Sequence, residues 1–360
     1  MITRPLVVLG TGRIARAFLR QLMGQREALK TRFSLDLPVA AVSNSRVLRT
    51  GSPFLDDEAL EAIVSRGLAT GEGDTIKGSS AAWQMRYVAD LGPEGLPNAV
   101  VLDLTAADAM APILLSAMDG GADVVLANKK PLCDSYETFE KLVVHPRGRI
   151  GYEATVGAGL PIVAPLRALH ETGDRLIDAT ACLSGTLGFL CTALEDGQLL
   201  SSIVKQAFER GFTEPDPRDD LSGADVRRKA LILARTFGLP FESAVVPTAP
   251  VLPLDDSPLD VWMAGLTRHD ALLKARADAA QEQGSVLRYI ARVAPDGCEV
   301  GLKEIPRNTA IGRLRGTDNI ITVRTHYYDE RPLIIAGPGA GANVTAAGVF
   351  GDVLRLSGVA

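Results

Sequence analysis

No apolar run in this 360-residue chain reaches the roughly 20 residues that span a bilayer as a helix. The N-terminus goes straight into an apolar strand, with no charged n-region and small-residue cleavage site. Cysteines number only four, and Cys133, Cys182, Cys191 and Cys298 share no metal-ligand spacing. That scatter reads as reduced thiols in a cytoplasmic protein. A basic stripe is also missing. The formal net charge of -5 argues against a nucleic-acid partner. What is present is 46% hydrophobic and 22% charged residues, enough for a large core in two or three domains. No internal repeat or low-complexity segment stands out.

Short apolar runs at Leu6 to Leu9, Val39 to Val42, Ala99 to Leu104 and Val124 to Leu126 read as buried strands. Helical spacing lies between them, with Ile14, Ala17, Phe18 and Leu22 on one face. Further helices are expected at Asp57 to Ser65 and Met110 to Asp119. Strand, helix, strand in this order predicts an α/β, doubly wound parallel sheet with right-handed crossovers. The stretch from Gly67 to Leu96, rich in glycine and polar residues, reads as a helix with loops. Beyond about residue 150 the texture changes to an α+β pattern. Helices are predicted at Ile162 to His170, Leu187 to Glu195, Leu200 to Arg210 and Gly223 to Phe237. Strands are predicted at Arg175 to Leu183, Val286 to Ala294, Cys298 to Ile305, Asn319 to Thr325 and Pro332 to Ile335. Val344 to Leu356 reads as a last helix returning to the first domain. The expected division is 1–150, completed by 337–360, and 151–336, with Pro247 to Pro258 a loop within the second.

The first strand ends in Gly10-Thr11-Gly12-Arg13-Ile14-Ala15, a match to G-x-G-x-x-A. The first glycine permits the tight turn, the second lets backbone approach a pyrophosphate, and the small alanine lets helix and strand pack closely. The helix N-terminus then offers N–H groups and partial positive charge to the phosphates. A strand before and a helix after support a dinucleotide site of the Rossmann type. The second strand is followed by Ser43-Asn44-Ser45-Arg46, where an NAD-strict site usually carries an acid. Ser43, Ser45 and Arg46 suit a 2′-phosphate, so NADP is expected and NAD remains open. Arg46 reads alternatively as a solvated loop charge.

Three further segments bear chemistry. Lys129, in Ala127-Asn128-Lys129-Lys130-Pro131, and Thr105 both follow strands at the edge where doubly wound folds bind ligands. Tyr152 to Pro161 is a loop whose two glycines among small residues allow an exposed backbone; its carbonyls and one carboxylate suit a hard monovalent cation, or a hinge. Between Gly211 and Lys229, acids crowd a proline-stiffened loop ahead of a helix carrying Asp225 and Lys229 at i and i+4. A carboxylate there orients the ammonium and keeps it protonated. Such a loop suits a cationic amino group beside a proton donor. Gly337-Pro338-Gly339-Ala340-Gly341 reads as a turn passing close to a cofactor or as a simple chain reversal.

Taken together, these segments resemble the homoserine dehydrogenase family. Asn128-Lys129, E-A-T-V-G-A-G-L-P from Glu153, L-S-G-T from Leu183, the acidic run through Lys229 and the Gly337 to Ala346 pattern stand in the family's order. The resemblance covers essentially the whole chain. It implies NADPH- or NADH-dependent reduction of aspartate 4-semialdehyde to homoserine, and the reverse, in threonine, methionine and isoleucine biosynthesis. It makes Lys229 the proton donor, with Lys129 and Asp225 also catalytic, and Glu214, Asp220 and Asp225 substrate-binding acids. It assigns Thr105, Lys129 and Gly341 to the cofactor, and a sodium ion to Glu153 with the carbonyls of Val156, Ala158 and Leu160. It implies a homodimer. A regulatory extension is not present in these residues, so feedback by threonine through one is not expected.

Two rivals stand beside that reading. An acylating semialdehyde enzyme needs a nucleophilic cysteine and a base, and Cys133 and Cys182 have no evident histidine partner among four histidines. A dinucleotide-binding sensor would not need the Glu214 to Lys229 constellation.

Overall fold

The computed structural model describes residues 1–68, 74–75 and 98–359. Nearly all of the Gly67 to Leu96 stretch lies outside the described residues. The chain divides into two compact units, Met1–Gly159 with Gly341–Ala360, and Leu160–Ala340.

The first unit is built on a seven-stranded sheet. Its core strands are β2 (Leu6–Leu9), β4 (Val39–Ser43), β7 (Val100–Asp103), β8 (Asp123–Leu126) and β9 (Ile150–Gly151). They pair in parallel in the order β4-β2-β7-β8-β9. The sheet is not parallel throughout, as the alternation of strands and helices predicts. After β4 the chain turns back into β5 (Val47–Thr50), which pairs antiparallel and carries the short β6 (Asp74–Thr75) outside it. The reason is local. The Asn44 side chain accepts the N–H groups of Arg46 at 2.8 Å and Val47 at 2.9 Å, an Asx turn that closes a hairpin. A small parallel pair, β1 (Ile2–Thr3) with β3 (Leu35–Asp36), lies outside the main sheet.

Helix α1 (Arg13–Phe33) runs on well past Leu22. Residues 25–33 are good helix formers without a breaker, and the helix stops at Ser34, whose φ of 51° is left-handed. Its Phe18, Leu19 and Leu22 are fully buried. Phe18 meets Phe350 of the last helix edge to face at 5.8 Å. Among the described residues, helices α2 (Asp57–Arg66), α3 (Ala111–Asp119), α4 (Tyr136–Val143) and the last helix, Ala342–Leu356, also belong to the unit.

The unit boundary falls at Gly159 rather than at 150, and at Ala340 rather than at 336. Residues 152–159 stay with the last helix. The Glu153 N–H donates to Asp352 at 2.8 Å. A Cβ on Gly348 would come within 2.4 Å of the Ala158 carbonyl, and one on Gly159 within 2.5 Å of the Val344 carbonyl. Gly159 and Gly348 therefore serve close packing. The expected exposed backbone is instead buried from Gly151 through Ala158.

The second unit holds a five-stranded antiparallel sheet, order β12-β11-β10-β13-β14. The strands are β10 (Leu176–Cys182), β11 (Ser285–Ala294), β12 (Gly297–Pro306), β13 (Asp318–Thr325) and β14 (Leu333–Pro338). Around it stand α5 (Val163–Glu171), α6 (Gly185–Glu195), α7 (Leu200–Glu209), α8 (Pro217–Leu221) and α9 (Ala224–Thr236). Two more, α10 (Leu259–Gly265) and α11 (Asp270–Glu282), fall where the sequence reading left no element. The last helix of the chain, Ala342–Leu356, is α12. Among the described residues no helix is long and apolar enough to cross a membrane.

Candidate active site

In the first unit the C-terminal ends of the parallel strands gather the predicted cofactor residues. Gly10 donates its N–H to the Ser43 carbonyl at 2.7 Å, which sets the turn against β4. Its φ is +111°, and a Cβ there would lie 2.7 Å from the Leu104 carbonyl oxygen. The fold itself thus demands this glycine. Gly12 is different. As N-cap of α1 it has an ordinary φ of -72°, and no side chain caps the helix. A Cβ on Gly12 would meet nothing within 4 Å. Open space over uncapped amide groups fits a pyrophosphate laid on the helix end. Gly12 and Arg13 are exposed in this turn, Thr11 and Ile14 are half-buried, and Ala15 is buried against the sheet. Gly10→Ala is expected to strain the fold by about 1–3 kcal/mol, seen as a lower unfolding midpoint. Gly12→Ala is expected to leave that midpoint unchanged and to raise the KM for the dinucleotide.

Arg46 is exposed on the tip of the β4–β5 hairpin. Thr105 follows β7 and Lys129, half-buried, follows β8. Asp103, which sequence reasoning passed over, sits between their loops and is fully buried. Burial raises its carboxyl above the usual range, against the lowering effect of its hydrogen bonds from Thr105 and Asn128. An acid closing an apolar strand, V-V-L-D, was the available signal. Gly341, N-cap of α12 with φ +113°, lies in the same unit.

Glu153 is 3% exposed, and its Oε2 stands 3.6 Å from the Arg355 guanidinium. Arg355 also pairs with Asp352. Burial pushes the Asp352 carboxyl up to about 6, with Arg355 pulling the other way. Among the described residues no three His, Cys, Asp or Glu side chains gather as a metal site. Any cation here would rest on one carboxylate and neutral carbonyls, a donor set suited to a hard monovalent ion. Val156 and Ala158 share the unit with Glu153, while Leu160 opens the second unit and its carbonyl already accepts the Ile162 N–H at 2.9 Å.

In the second unit the acidic run divides its labour. Asp216 caps α8 and clasps Arg218, whose Nε lies 3.0 Å from both carboxylate oxygens. Arg218 reaches on to the carbonyls of Asp255 and Ser257 at 2.9 and 2.7 Å and lies over the Trp262 ring. This pair stiffens the loop. The Arg218 guanidinium holds the Asp216 carboxyl below the usual range. The other acids line a cleft of about 370 Å³ with Ser184, Ser222 and Arg228: Glu214, Asp219, Asp220 and Asp225. Asp220 accepts the Glu214 N–H at 2.8 Å, fixing the exposed Glu214. Burial raises the Asp220 carboxyl, and the charges of Glu214 and Asp225 add to the effect.

Lys229 is 9% exposed. Its Nζ donates to the Leu183 carbonyl at 2.6 Å and stands 3.0 Å from Asp225 Oδ2. The i, i+4 pair is therefore formed, and the L-S-G-T turn after β10 supplies a third point that the sequence reading did not use. Gly223 makes the junction possible. It takes φ +72°, and a Cβ would fall 1.8 Å from the Tyr289 hydroxyl.

Three of the four thiols do not suit the cysteine rival. Burial pushes Cys182 and Cys298 to about 12 and Cys191 to about 11, far from the thiolate a nucleophile requires.

Parallel strands that end beside a glycine-capped helix, joined to a separate α+β unit, define a Rossmann-type dinucleotide-binding protein. The known proteins that this chain resembles place it within that class. The homoserine dehydrogenase family matches residues 161–354, and that family's NAD-binding domain matches residues 10–145. The chain belongs to the homoserine dehydrogenase family. It is 36% identical over 294 residues to the homoserine dehydrogenase of Paracoccidioides brasiliensis, covering 77% of this chain and 79% of that one. It is 37% identical to the chloroplastic bifunctional aspartokinase/homoserine dehydrogenase 2 of Arabidopsis thaliana over 97% of its own length, but spans only 38% of that protein. A Candida auris protein of unknown function has the same fold at TM-score 0.86 and 26% identity, over 99% of this chain and 98% of that one. A hyperthermophilic archaeal homoserine dehydrogenase in complex with NADPH shares the fold at TM-score 0.76 and 23% identity, over 99% and 98% of the two chains.

Proposed function

We propose that this protein interconverts L-aspartate 4-semialdehyde and L-homoserine with a nicotinamide dinucleotide. The observation that carries the reading is Lys229, held between Asp225 and the Leu183 carbonyl beside a cleft of acids. The dinucleotide, when bound, supplies or accepts the hydride. Lys229 protonates the aldehyde oxygen as negative charge develops there, and Asp225 orients the ammonium. Glu214 and Asp220 hold the substrate's cationic amino group. Lys129, at the sheet edge of the first unit, is a second candidate for that proton, or a contact to the cofactor. Homoserine-dependent reduction of NADP followed by absorbance tests the whole reading; no reduction with either NADP or NAD removes it.

NADP is the preferred cofactor in this reading, supported by Arg46 on the hairpin tip and by the missing acid after β4. Arg46→Ser is expected to raise the KM for NADP about 10–100-fold, the worth of a hydrogen-bonded charge pair, and to leave the KM for NAD little changed. A wild-type kcat/KM that favours NADH reverses the assignment. Thr105 and Gly341 are read as further cofactor contacts.

The finer features follow the family resemblance. A sodium ion is assigned to Glu153 with the carbonyls of Val156, Ala158 and Leu160, supported by that donor chemistry; activity indifferent to exchange of sodium for potassium would remove it. A homodimer is supported by the edge strand β14, where apolar Ile334, Ala336 and Pro338 are exposed in alternation. A monomeric mass by light scattering would exclude it. Four cysteines outside any disulfide support a reducing, cytoplasmic setting; disulfides found by mass spectrometry of the native protein would count against it.

A further inference from the structure

We infer that Asp103 and Asn128 form a positioning bridge that locks the loop after β7 to the loop after β8, and so sets Thr105 and Lys129 at the cofactor edge. Asp103 is fully buried and Asn128 is 4% exposed. One Asp103 oxygen accepts both the Thr105 N–H at 3.1 Å and the Thr105 hydroxyl at 2.7 Å. The other accepts the Asn128 amide at 3.0 Å. The same amide nitrogen donates to the Ala107 carbonyl at 2.9 Å, and the Asn128 oxygen accepts the Lys130 N–H at 3.1 Å. The Asp103 backbone carbonyl takes the N–H groups of Ala127 and Asn128 as well. Two adjacent loops that leave the sheet separately are thereby tied at their first residues.

The arrangement has a chemical consequence for Thr105. Its hydroxyl proton is committed to Asp103, and its oxygen accepts the Ala107 N–H at 3.1 Å and lies 3.4 Å from the Asn128 amide nitrogen. A hydroxyl has one proton and two lone pairs. Thr105 therefore faces the fold with its oxygen, and it offers a ligand its methyl group and backbone, not a hydrogen bond from its hydroxyl. Its contact with the cofactor is a wall, and Asp103 holds that wall in place.

Asparagine in place of Asp103 keeps the shape but changes the bonding. It has one acceptor oxygen and one donor amide, while the site presents donors on both sides, from Thr105 and from Asn128. One loop must be released. The inference rests on the dinucleotide-binding reading of this edge, and the experiment separates the two. NADPH binding, followed by its fluorescence, and steady-state kinetics are measured for the wild type, Asp103→Asn, Asn128→Ala and the double variant. Each single variant is expected to weaken NADPH binding and to lower kcat/KM about 10–100-fold, as for a displaced contact group. Because both residues act through one bridge, the double variant is expected to be no worse than the poorer single variant. Asn128→Ala keeps the test alive where Asp103→Asn does not fold. A lower unfolding midpoint with wild-type NADPH affinity and kcat/KM would overturn the inference and leave the functional reading standing. So would losses that multiply in the double variant. A wild type that binds neither NADPH nor NADH would overturn both.

Discussion

Lys229→Ala is expected to lower kcat by about 10²–10⁴-fold, the usual worth of a positioned proton donor, with a much smaller change in the KM for homoserine. The geometry gives the reason. Lys229 is 9% exposed and its ammonium is aimed by two acceptors, Asp225 and the Leu183 carbonyl. Neither acceptor belongs to a substrate, so the lysine is in place before one binds. Its strongest interaction with a substrate oxygen then arises as charge develops there, which is the condition for an effect on kcat. Asp225→Asn is expected to act in the same direction but less, because the carbonyl contact survives it. If Lys229→Ala changes KM alone, the residue binds substrate and Lys129 becomes the candidate donor. Stopped-flow comparison of single turnover and steady state separates the chemical step from release.

The largest expected effect on stability belongs to a group outside the site. Arg288 is 2% exposed, and one of its nitrogens reaches Glu195 at 2.8 Å together with the carbonyls of Gly312 and Leu314. Glu195 also faces Arg307 at 3.4 Å and Arg315 at 3.2 Å, both half-exposed. This cluster ties α6 and β11 to the 307–315 loop. Glu195→Ala leaves the Arg288 charge buried with carbonyls only, and is expected to cost about 3–5 kcal/mol. Arg288→Leu is expected to cost less, since Glu195 keeps two arginines that water can also reach. Denaturant unfolding of the two variants checks the order. Equal losses, or a larger loss for Arg288→Leu, would show that the exposed arginines contribute nothing and that Arg288 itself carries the cluster.

Much of the architecture was legible from short-range pattern. Short apolar runs such as Leu6 to Leu9 and Val124 to Leu126 are fully buried in the sheet, so composition alone marks them. The Glu214 to Lys229 run was legible because its spacing is local: Asp225 and Lys229 meet by helix geometry with no help from the rest of the chain. Helix α11 was missed because its buried side is Leu273, Ala277 and Ala280, small residues that leave a faint stripe. The β4–β5 hairpin was missed because one side chain, Asn44, decides it.

The glycines mark the boundary between the two kinds of information. The sequence by itself determined a dinucleotide turn at Gly10 to Ala15, a lysine paired with an acid four residues earlier, and a chain of this family. Tertiary structure alone decided that Gly10 answers to the Leu104 carbonyl while Gly12 answers to empty space, and that Asp216 serves the loop while Glu214, Asp220 and Asp225 serve the cleft. It alone brought Leu183 to Lys229 and Asp103 to Asn128. The physical reason is sequence separation: a hydrogen bond between residues 46 or 25 positions apart has no period to betray it, and forms only when the sheet has aligned the strand ends.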